Sequence, residues 1–274
     1  MAKSEADASK GTCLRDLVQK KFLEDVIGEA GKKCTGWMIL VLDNCATRVI
    51  SSALTMFDIM EKRITLVEQL DRNRQPFKEM DVVYLISPTT ESVQKVLNDF
   101  ETAKTARYSG VHLYFLDTVS NQIMQMIQNN AVISSRVKSF KEISMDFVLS
   151  ESTVFQLDQK QGLLKMYGSL PDPDFPALVG KKLATLCITM NEYPYIRFQS
   201  TSAYAREMAQ SLNNTLTGFK SRNPQWWCHG GDDQHMEKGR GNILILDRTF
   251  DPLTPLMHEY TYSAMVNHLL TYKD

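Results

Sequence analysis

The chain is short of the features that mark secreted and membrane-spanning proteins. Its five cysteines, Cys13, Cys34, Cys45, Cys187 and Cys228, are odd in number, widely spaced and contain no C-x-x-C pair. Such a pattern supplies neither a disulfide framework nor a structural zinc site, and it fits a reducing compartment. The longest apolar run, Trp37 to Leu42, falls far below the ~20 residues a membrane helix needs. Met1 to Gly11 is small and polar, without the apolar core of a signal peptide. Charge of one sign is missing too: 31 Lys and Arg against 32 Asp and Glu leave a net charge of −1 over 274 residues. That balance exerts no general pull toward nucleic acid or an anionic membrane. The expectation is a cytoplasmic protein that meets membranes only through a partner. With 43% hydrophobic and 9% aromatic residues, the composition excludes disordered, collagen and coiled-coil classes.

Nucleotide and nucleophile motifs are absent as well. No G-x-G-x-x-G follows a strand. Gly31-Lys32 and Gly180-Lys181 lack the upstream glycine of a P-loop, so no row of backbone N–H groups is set to cradle phosphates. No G-x-S-x-G elbow occurs.

What is present is an alternation of apolar strands and amphipathic helices. Leu14, Val18, Phe22 and Val26 form one helical face. Apolar strands are expected at Trp37–Leu42, Ile64–Leu70, Val82–Ile86, Val111–Leu116 and Val137–Ile143. Between them lie helices around Ile50–Ile59, over Glu91–Glu101 with Thr90 as cap, and over Asn121–Asn129. Because the strongest runs are continuous rather than alternating, they fit a parallel sheet covered on both faces. The order predicts an α/β protein whose first domain is a doubly wound parallel sheet. Thereafter the pattern changes. Met145–Leu149, Thr153–Leu157 and Leu163–Tyr167 read as strands. Helices follow at Ala177–Asn191 and Ser202–Phe219, a strand at Tyr195–Phe198, a polar loop at Asn223–Gly241, a strand at Asn242–Leu246 and a terminal helix at His258–Leu270.

Three strands end in aspartate: Asp43, Asp117 and Asp247. A carboxylate at a strand's C-terminal end is either a ligand-facing group or the cap of the next helix, and capping is the commoner use. Cys228-His229-Gly-Gly-Asp232-Asp233-Gln-His235 gathers metal-ligating side chains, yet its spacing matches no zinc signature. Trp226-Trp227 is either a partner-binding patch or a pin for that loop. Ile123, Met124, Met126 and Ile127 make an apolar helix, most simply core. Asp71-Arg72-Asn73-Arg74-Gln75-Pro76 reads as a solvated turn. A metal- or nucleotide-dependent hydrolase built on Asp43, Asp117 or the Cys228–His235 loop is the competing functional reading, and a nonfunctional product the dullest one.

Three ordered stretches stand out. The most specific is Asn242-Ile-Leu-Ile-Leu-Asp-Arg-Thr-Phe-Asp-Pro-Leu-Thr-Pro-Leu-Met-His-Glu-Tyr-Thr-Tyr-Ser-Ala-Met265. A second is Leu183-Ala-Thr-Leu-Cys-Ile-Thr-Met-Asn-Glu-Tyr-Pro-Tyr-Ile-Arg-Phe198. A third runs from Thr55-Met-Phe-Asp-Ile-Met60 through Ile64-Thr-Leu-Val-Glu68 and Arg72-Asn-Arg-Gln-Pro76 to Val83-Tyr-Leu-Ile-Ser-Pro88. Together they resemble the syntaxin-binding Sec/Munc-type family of vesicle-fusion regulators. The resemblance implies an N-terminal α/β domain over 1–144, an incomplete second α/β domain over 145–241 and the start of a third over 242–274. It implies no enzymatic activity and no cofactor. Its partner is a syntaxin-type SNARE, held by a monomer during docking, priming and fusion at plasma or vesicle membranes. Positions matching the family's syntaxin contacts are Asp43, Arg48, Thr55 and Glu68, with Thr55 standing where many members carry lysine. A pocket for the N-terminal peptide of syntaxin maps to Val119, Met124 and Glu142, with Met124 replacing a commoner phenylalanine. Family members are considerably longer, so a fragment or short form is expected, its last strand without neighbours and its last helix exposed.

Overall fold

The computed structural model describes residues 13–34, 36–227, 240–258 and 260–270. The chain starts with α1 (Leu14–Lys21), which runs on through a π-helical stretch, Phe22–Gly28, into α2 (Glu29–Lys33). Then follow β1 (Met38–Leu42), α3 (Asn44–Ser51), α4 (Met56–Met60), β2 (Ile64–Gln69), β3 (Asp81–Ile86) and α5 (Thr90–Asn98). The series closes with β4 (Val111–Phe115), α6 (Asn121–Asn129), α7 (Ala131–Ser134) and β5 (Val137–Glu142). The five strands make one parallel sheet in the order β2-β1-β3-β4-β5.

Alternation along each strand sends side chains to two cores. Met38, Leu40, Leu42, Val83 and Leu85 meet α1, the π stretch, α3 and α4 on one face. Ile39, Val41, Tyr84, Ile86 and Phe115 meet α5, α6 and α7 on the other. Burial on both faces is why β1, β3 and β4 read as unbroken apolar runs. Each such side chain contributes roughly 1.5–3 kcal/mol by leaving water. The sheet is doubly wound, with the direction of winding reversing between β1 and β3.

Beyond β5 the chain forms a short antiparallel pair, β6 (Val148–Leu149) and β7 (Phe155–Gln156), then α8 (Gly162–Tyr167) and α9 (Phe175–Thr189). β8 (Tyr195–Phe198), α10 (Ala203–Arg222), β9 (Asn242–Ile245) and α11 (Tyr262–Leu269) complete it. A third core joins α9 and α10 through Ala184, Cys187, Ala205, Ala209, Leu212 and Leu216. These helices approach closely because Gly180 faces α10: a Cβ there would lie 2.6 Å from the Met208 carbonyl oxygen. The first core also reaches past residue 144, taking in Met145, Phe147, Leu149 and Leu186. Two lysines fasten this junction. Lys182 pairs with Asp146 at 2.6 Å, and Lys21 donates to Thr189 Oγ1 at 3.1 Å and to the Ser144 carbonyl at 3.4 Å. Burial lowers the Lys21 ammonium to about 8.

Several expectations are corrected. Leu163–Tyr167 is not a strand but part of α8, since leucine, lysine and methionine favour helix and no strand is placed to pair with them. The expected helix over Ile50–Ile59 is two helices, because Thr55 and Asp58 form a capping box that starts α4 afresh. Thr89, not Thr90, caps α5, accepting from the Ser92 N–H. Trp37 precedes β1 and is 60% exposed. The last strand does have a neighbour, for β9 lies parallel to β8. Residues of α11 are exposed as expected, Tyr262 at 85% and Leu269 at 65%. The 71–76 segment is not wholly solvated: Arg74 is buried against Asp99 at 2.9 Å.

One polar group stands in the middle of the sheet. His112 on β4 is fully buried. Its Nδ1 meets Ser139 Oγ at 3.0 Å, while Nε2, 3.7 Å from Asp81, has no hydrogen-bond partner. Burial lowers its pKa below the ordinary 6.5, with Lys138 and Lys33 adding to the effect and Asp81 opposing it. The neutral ring is therefore favoured in the folded state. The stability it confers is complete above pH 6.5 and is lost as pH falls through the lowered folded value. Urea unfolding should show stability dropping between pH 7 and pH 5, and the drop should be shallower in His112→Gln. Equal slopes in the two proteins would refute this.

Candidate partner-binding surface

The surface starts from the C-terminal ends of β1 and β2. Asp43 ends β1 and caps α3, with one oxygen accepting from the Ala46 N–H at 2.8 Å. Its other oxygen accepts from the Ser87 N–H at 2.7 Å and from Ser92 Oγ at 3.1 Å. The carboxylate is 6% exposed and faces inward, across the gap between β1 and β3. Asp43 thus acts as a cap, and through Ser87 and Ser92 it also ties α3 to the end of β3 and the first turn of α5.

Arg48, one turn into α3, reaches across to Asp158 in a two-pronged ion pair, with Nη1 to Oδ1 at 2.8 Å. Asp158 is held in the left-handed region at φ 52°. Thr55 is exposed at the start of α4 and is occupied by its capping box, its hydroxyl 2.6 Å from Asp58. Glu68 lies near the end of β2, opposite Val41, and is half-buried. Tyr108 donates to its Oε2 at 3.4 Å. Burial raises the Glu68 pKa, while Arg74, the Tyr108 hydroxyl and Arg107 counteract that rise. A cavity of about 430 Å³ opens here, with Ile50, Leu54, Ile59 and Val67 as apolar walls and Glu68 and Arg74 among its polar ones. Asp43, Arg48, Thr55 and Glu68 therefore belong to the β1–β2 side of the sheet, with Glu68 on the cavity and Asp43 tied beneath the surface.

The second set of candidates sits at the opposite edge. Glu142 ends β5, the edge strand, and accepts from the Val119 N–H at 2.8 Å. Ser120 caps α6, which places Met124 one turn into the helix and half-buried. Ile123 and Ile127 turn inward, as a core stripe should. Phe140, 37% exposed, stacks on Phe115 at 5.4 Å and adds apolar surface on the same edge strand. Sequence reasoning missed Phe140, an aromatic residue flanked by the polar Ser139 and Lys141 on an edge strand, and that placement was the available signal.

The strand-end carboxylates do not form a catalytic group. Asp117 is raised by burial and accepts from its neighbour, the Thr118 N–H, at 2.7 Å. Asp247 is screened from burial's upward push by Ser202, Tyr167 and Thr249, whose donors hold it well below the ordinary carboxylate range. Among the described residues, no three His, Cys, Asp or Glu side chains stand close enough to hold a metal ion. The Cys228–His235 loop lies outside the described residues. Trp226 packs edge-on to Phe219 at 5.2 Å, and Trp227 lies 5.5 Å from Tyr193. The pair leans on α10 and on the approach to β8, which is how a pin would sit. No helix among the described residues is long and apolar enough to cross a membrane.

Comparison with known families matches residues 38–274 to the Sec1 family. The chain belongs to that family. Protein transport protein sec1 of Dictyostelium discoideum is 33% identical over 265 residues, covering 94% of this chain and 42% of the relative. The SNARE-interacting protein KEULE of Arabidopsis thaliana is 27% identical, with 93% and 40% covered. Among solved structures, the Unc18–syntaxin 1 complex of Monosiga brevicollis contains a chain that superposes with a TM-score of 0.85 at 30% identity. That match covers 96% of this chain and 45% of the other. This Sec1-family chain therefore spans less than half the length of these relatives.

The Asp43 geometry makes a direct prediction. Removing the carboxylate strands the Ala46 and Ser87 N–H groups in a buried place, at roughly 1–3 kcal/mol for each unmet donor. Asp43→Ala should lower the unfolding free energy by about 3 kcal/mol, measured by urea titration. A loss under ~0.5 kcal/mol, ordinary for a surface change, would contradict the inward placement.

Proposed function

We propose that the chain is the syntaxin-binding part of a SNARE regulator acting in vesicle docking, priming and fusion. The observation that carries this reading is the likeness, across nearly the whole chain, to the Unc18 protein of a complex with syntaxin 1. The surfaces support it. One sheet edge offers an apolar cavity with a carboxylate on its wall, suited to the basic and apolar side chains of a helical partner. The other edge offers Val119, Met124 and Phe140, suited to a short peptide. In this reading Arg48, Thr55 and Glu68 face the bundle of the partner, and Asp43 supports them from below. Val119, Met124 and Glu142 take its N-terminal peptide. The protein works as a monomer in the cytoplasm and meets plasma or vesicle membranes through the anchored SNARE. It has three units: residues 1–144 with the parallel sheet, 145–241 around α9 and α10, and 242–274 as the start of the third. Binding without chemistry suits the geometry, since charge matching across such a surface sets register and association rate more than bond-making.

Calorimetric titration with syntaxin-type cytoplasmic domains tests the reading. Glu68→Lys should weaken binding about tenfold or more, equivalent to ~1.4 kcal/mol. An N-terminal peptide of the same SNARE should bind the chain itself, and Met124→Lys should abolish that binding while leaving the melting temperature in place. Lack of any syntaxin-type binding by a longer chain carrying these residues would overturn the proposal. Unchanged peptide affinity in Met124→Lys would remove the pocket from α6.

A further inference from the structure

Beneath Glu68 lies a buried polar network that the fold alone does not require. Arg74 and Asp99 pair at 2.9 Å with both side chains 5% exposed. Asp99 also accepts from the Tyr84 hydroxyl at 2.6 Å and from Arg107 Nε at 3.0 Å. Tyr84, Phe100 and Tyr108, all fully buried, surround the pair with ring centroids 6.3–6.5 Å apart. From this cluster a single side-chain hydroxyl, that of Tyr108, reaches Glu68. Arg74 itself shares the cavity wall with Glu68, and its Nε and Nη1 are buried without acceptors.

An apolar cluster of the same shape would pack at least as well, because ion pairs in such places seldom add stability over hydrophobic replacements. Two buried donors left without acceptors add to the cost. The network therefore needs a reason outside stability, and one of its side chains, through the Tyr108 hydroxyl, reaches Glu68 on the cavity wall.

We propose that Tyr108 and Arg74, anchored by Asp99, are positioning residues for Glu68, fixing the direction in which this carboxylate meets a cationic side chain of the partner. The proposal rests on the reading of Glu68 as partner-facing. Tyr108 supplies a donor at a set angle, and Asp99 with Tyr84 and Arg107 keeps Arg74 in place behind it. Electrostatics agrees with the geometry. Burial pushes the Glu68 carboxyl up and Asp99 adds to that push, whereas Arg74, Tyr108 and Arg107 act against it. The exposed guanidinium of Arg72 lies on the same cavity. Without Tyr108 and Arg74, Glu68 takes up a proton at a higher pH and loses its fixed direction.

The decisive variant is Tyr108→Phe, which keeps the ring and removes one hydroxyl. The side-chain carboxyl resonance of Glu68, assigned by its absence in Glu68→Gln, is followed by NMR from pH 3 to 8 in the whole chain. Its midpoint should move upward in Tyr108→Phe, while Arg74→Lys, which keeps the charge, should move it less. The second readout is affinity for the syntaxin-type domain at pH 7. Tyr108→Phe should weaken binding about tenfold in the native background, the effect of one hydrogen bond to a charged group. It should have no further effect in Glu68→Ala, which leaves the hydroxyl no acceptor at position 68. An unmoved midpoint overturns the proposal whether or not any partner binds. A moved midpoint with equal losses in both backgrounds overturns the positioning role, because Tyr108 would then act through the fold. Failure of the native chain to bind any syntaxin-type domain defeats the functional reading alone, since the titration still decides whether the network governs Glu68.

Discussion

The surface depends on one carboxylate. In a doubly wound sheet the winding reverses at a switch point, and the crevice beyond the strand ends at that point is where such folds usually take a ligand. Here the switch lies between β1 and β3, and Asp43 fills it. A single side chain closes the start of α3, the end of β3 and the first turn of α5, through the Ala46 and Ser87 N–H groups and the Ser92 hydroxyl. The N–H groups that a phosphate would need are already engaged, and by a group of the phosphate's own sign. The crevice at the switch point is thereby converted into a rigid corner, and α3, α4 and β2 extend from it.

That conversion explains the contrast between the two edges of the sheet. At the β2 edge, polar groups are held from behind. Arg48 is fixed by Asp158, Thr55 by Asp58, and Glu68 by Tyr108. The freedom of these side chains is already reduced in the folded chain, which lowers the ordering that any contact there would require. At the β5 edge the candidates are apolar and adaptable, a methionine and a half-exposed phenylalanine beside Val119. Methionine reshapes itself to fit an irregular peptide more readily than an aromatic ring does. One edge is polar and braced, the other apolar and adaptable.

Much of this was legible in the residues. The three central strands stand out because both of their faces are covered, so Val82–Ile86 and Val111–Leu116 have no polar alternation to hide them. The helix over Asn121–Asn129 was bounded at both ends by asparagine and matched residue for residue. Candidate positions were legible only through ordered family motifs, since no local pattern marks a binding surface. What could not be read was the direction of polar side chains. Asp43 and Glu68 are both acids at strand ends, yet one is sealed inward by two backbone donors and the other opens on a cavity. Arg74 sits in a string of turn-forming residues, and only the partner supplied by Asp99, far along the chain, draws it inside. The helix at Gly162–Tyr167 was missed for a related reason. Six residues carry too little periodicity to separate helix from strand, and among the described residues no strand pairs with them.

Buried charge in this protein follows a consistent logic. His112 with Asp81 and Lys138, Arg74 with Asp99, and Lys182 with Asp146 each join segments distant in sequence. Each pair costs desolvation that apolar packing would avoid, so stability alone does not account for them. They specify which elements meet instead. Asp81 and His112 fix neighbouring strands, Arg74 and Asp99 fix the β2–β3 connection against α5, and Lys182 and Asp146 fix α9 against the end of the sheet. The last of these joints sets the angle between α9 and the end of the sheet. A charged pair aided by Lys21 and Thr189 holds that angle more narrowly than a greasy contact, which could slide. The same corner that Asp43 makes rigid is thus continued, by lysines rather than by aspartate, into the second half of the chain.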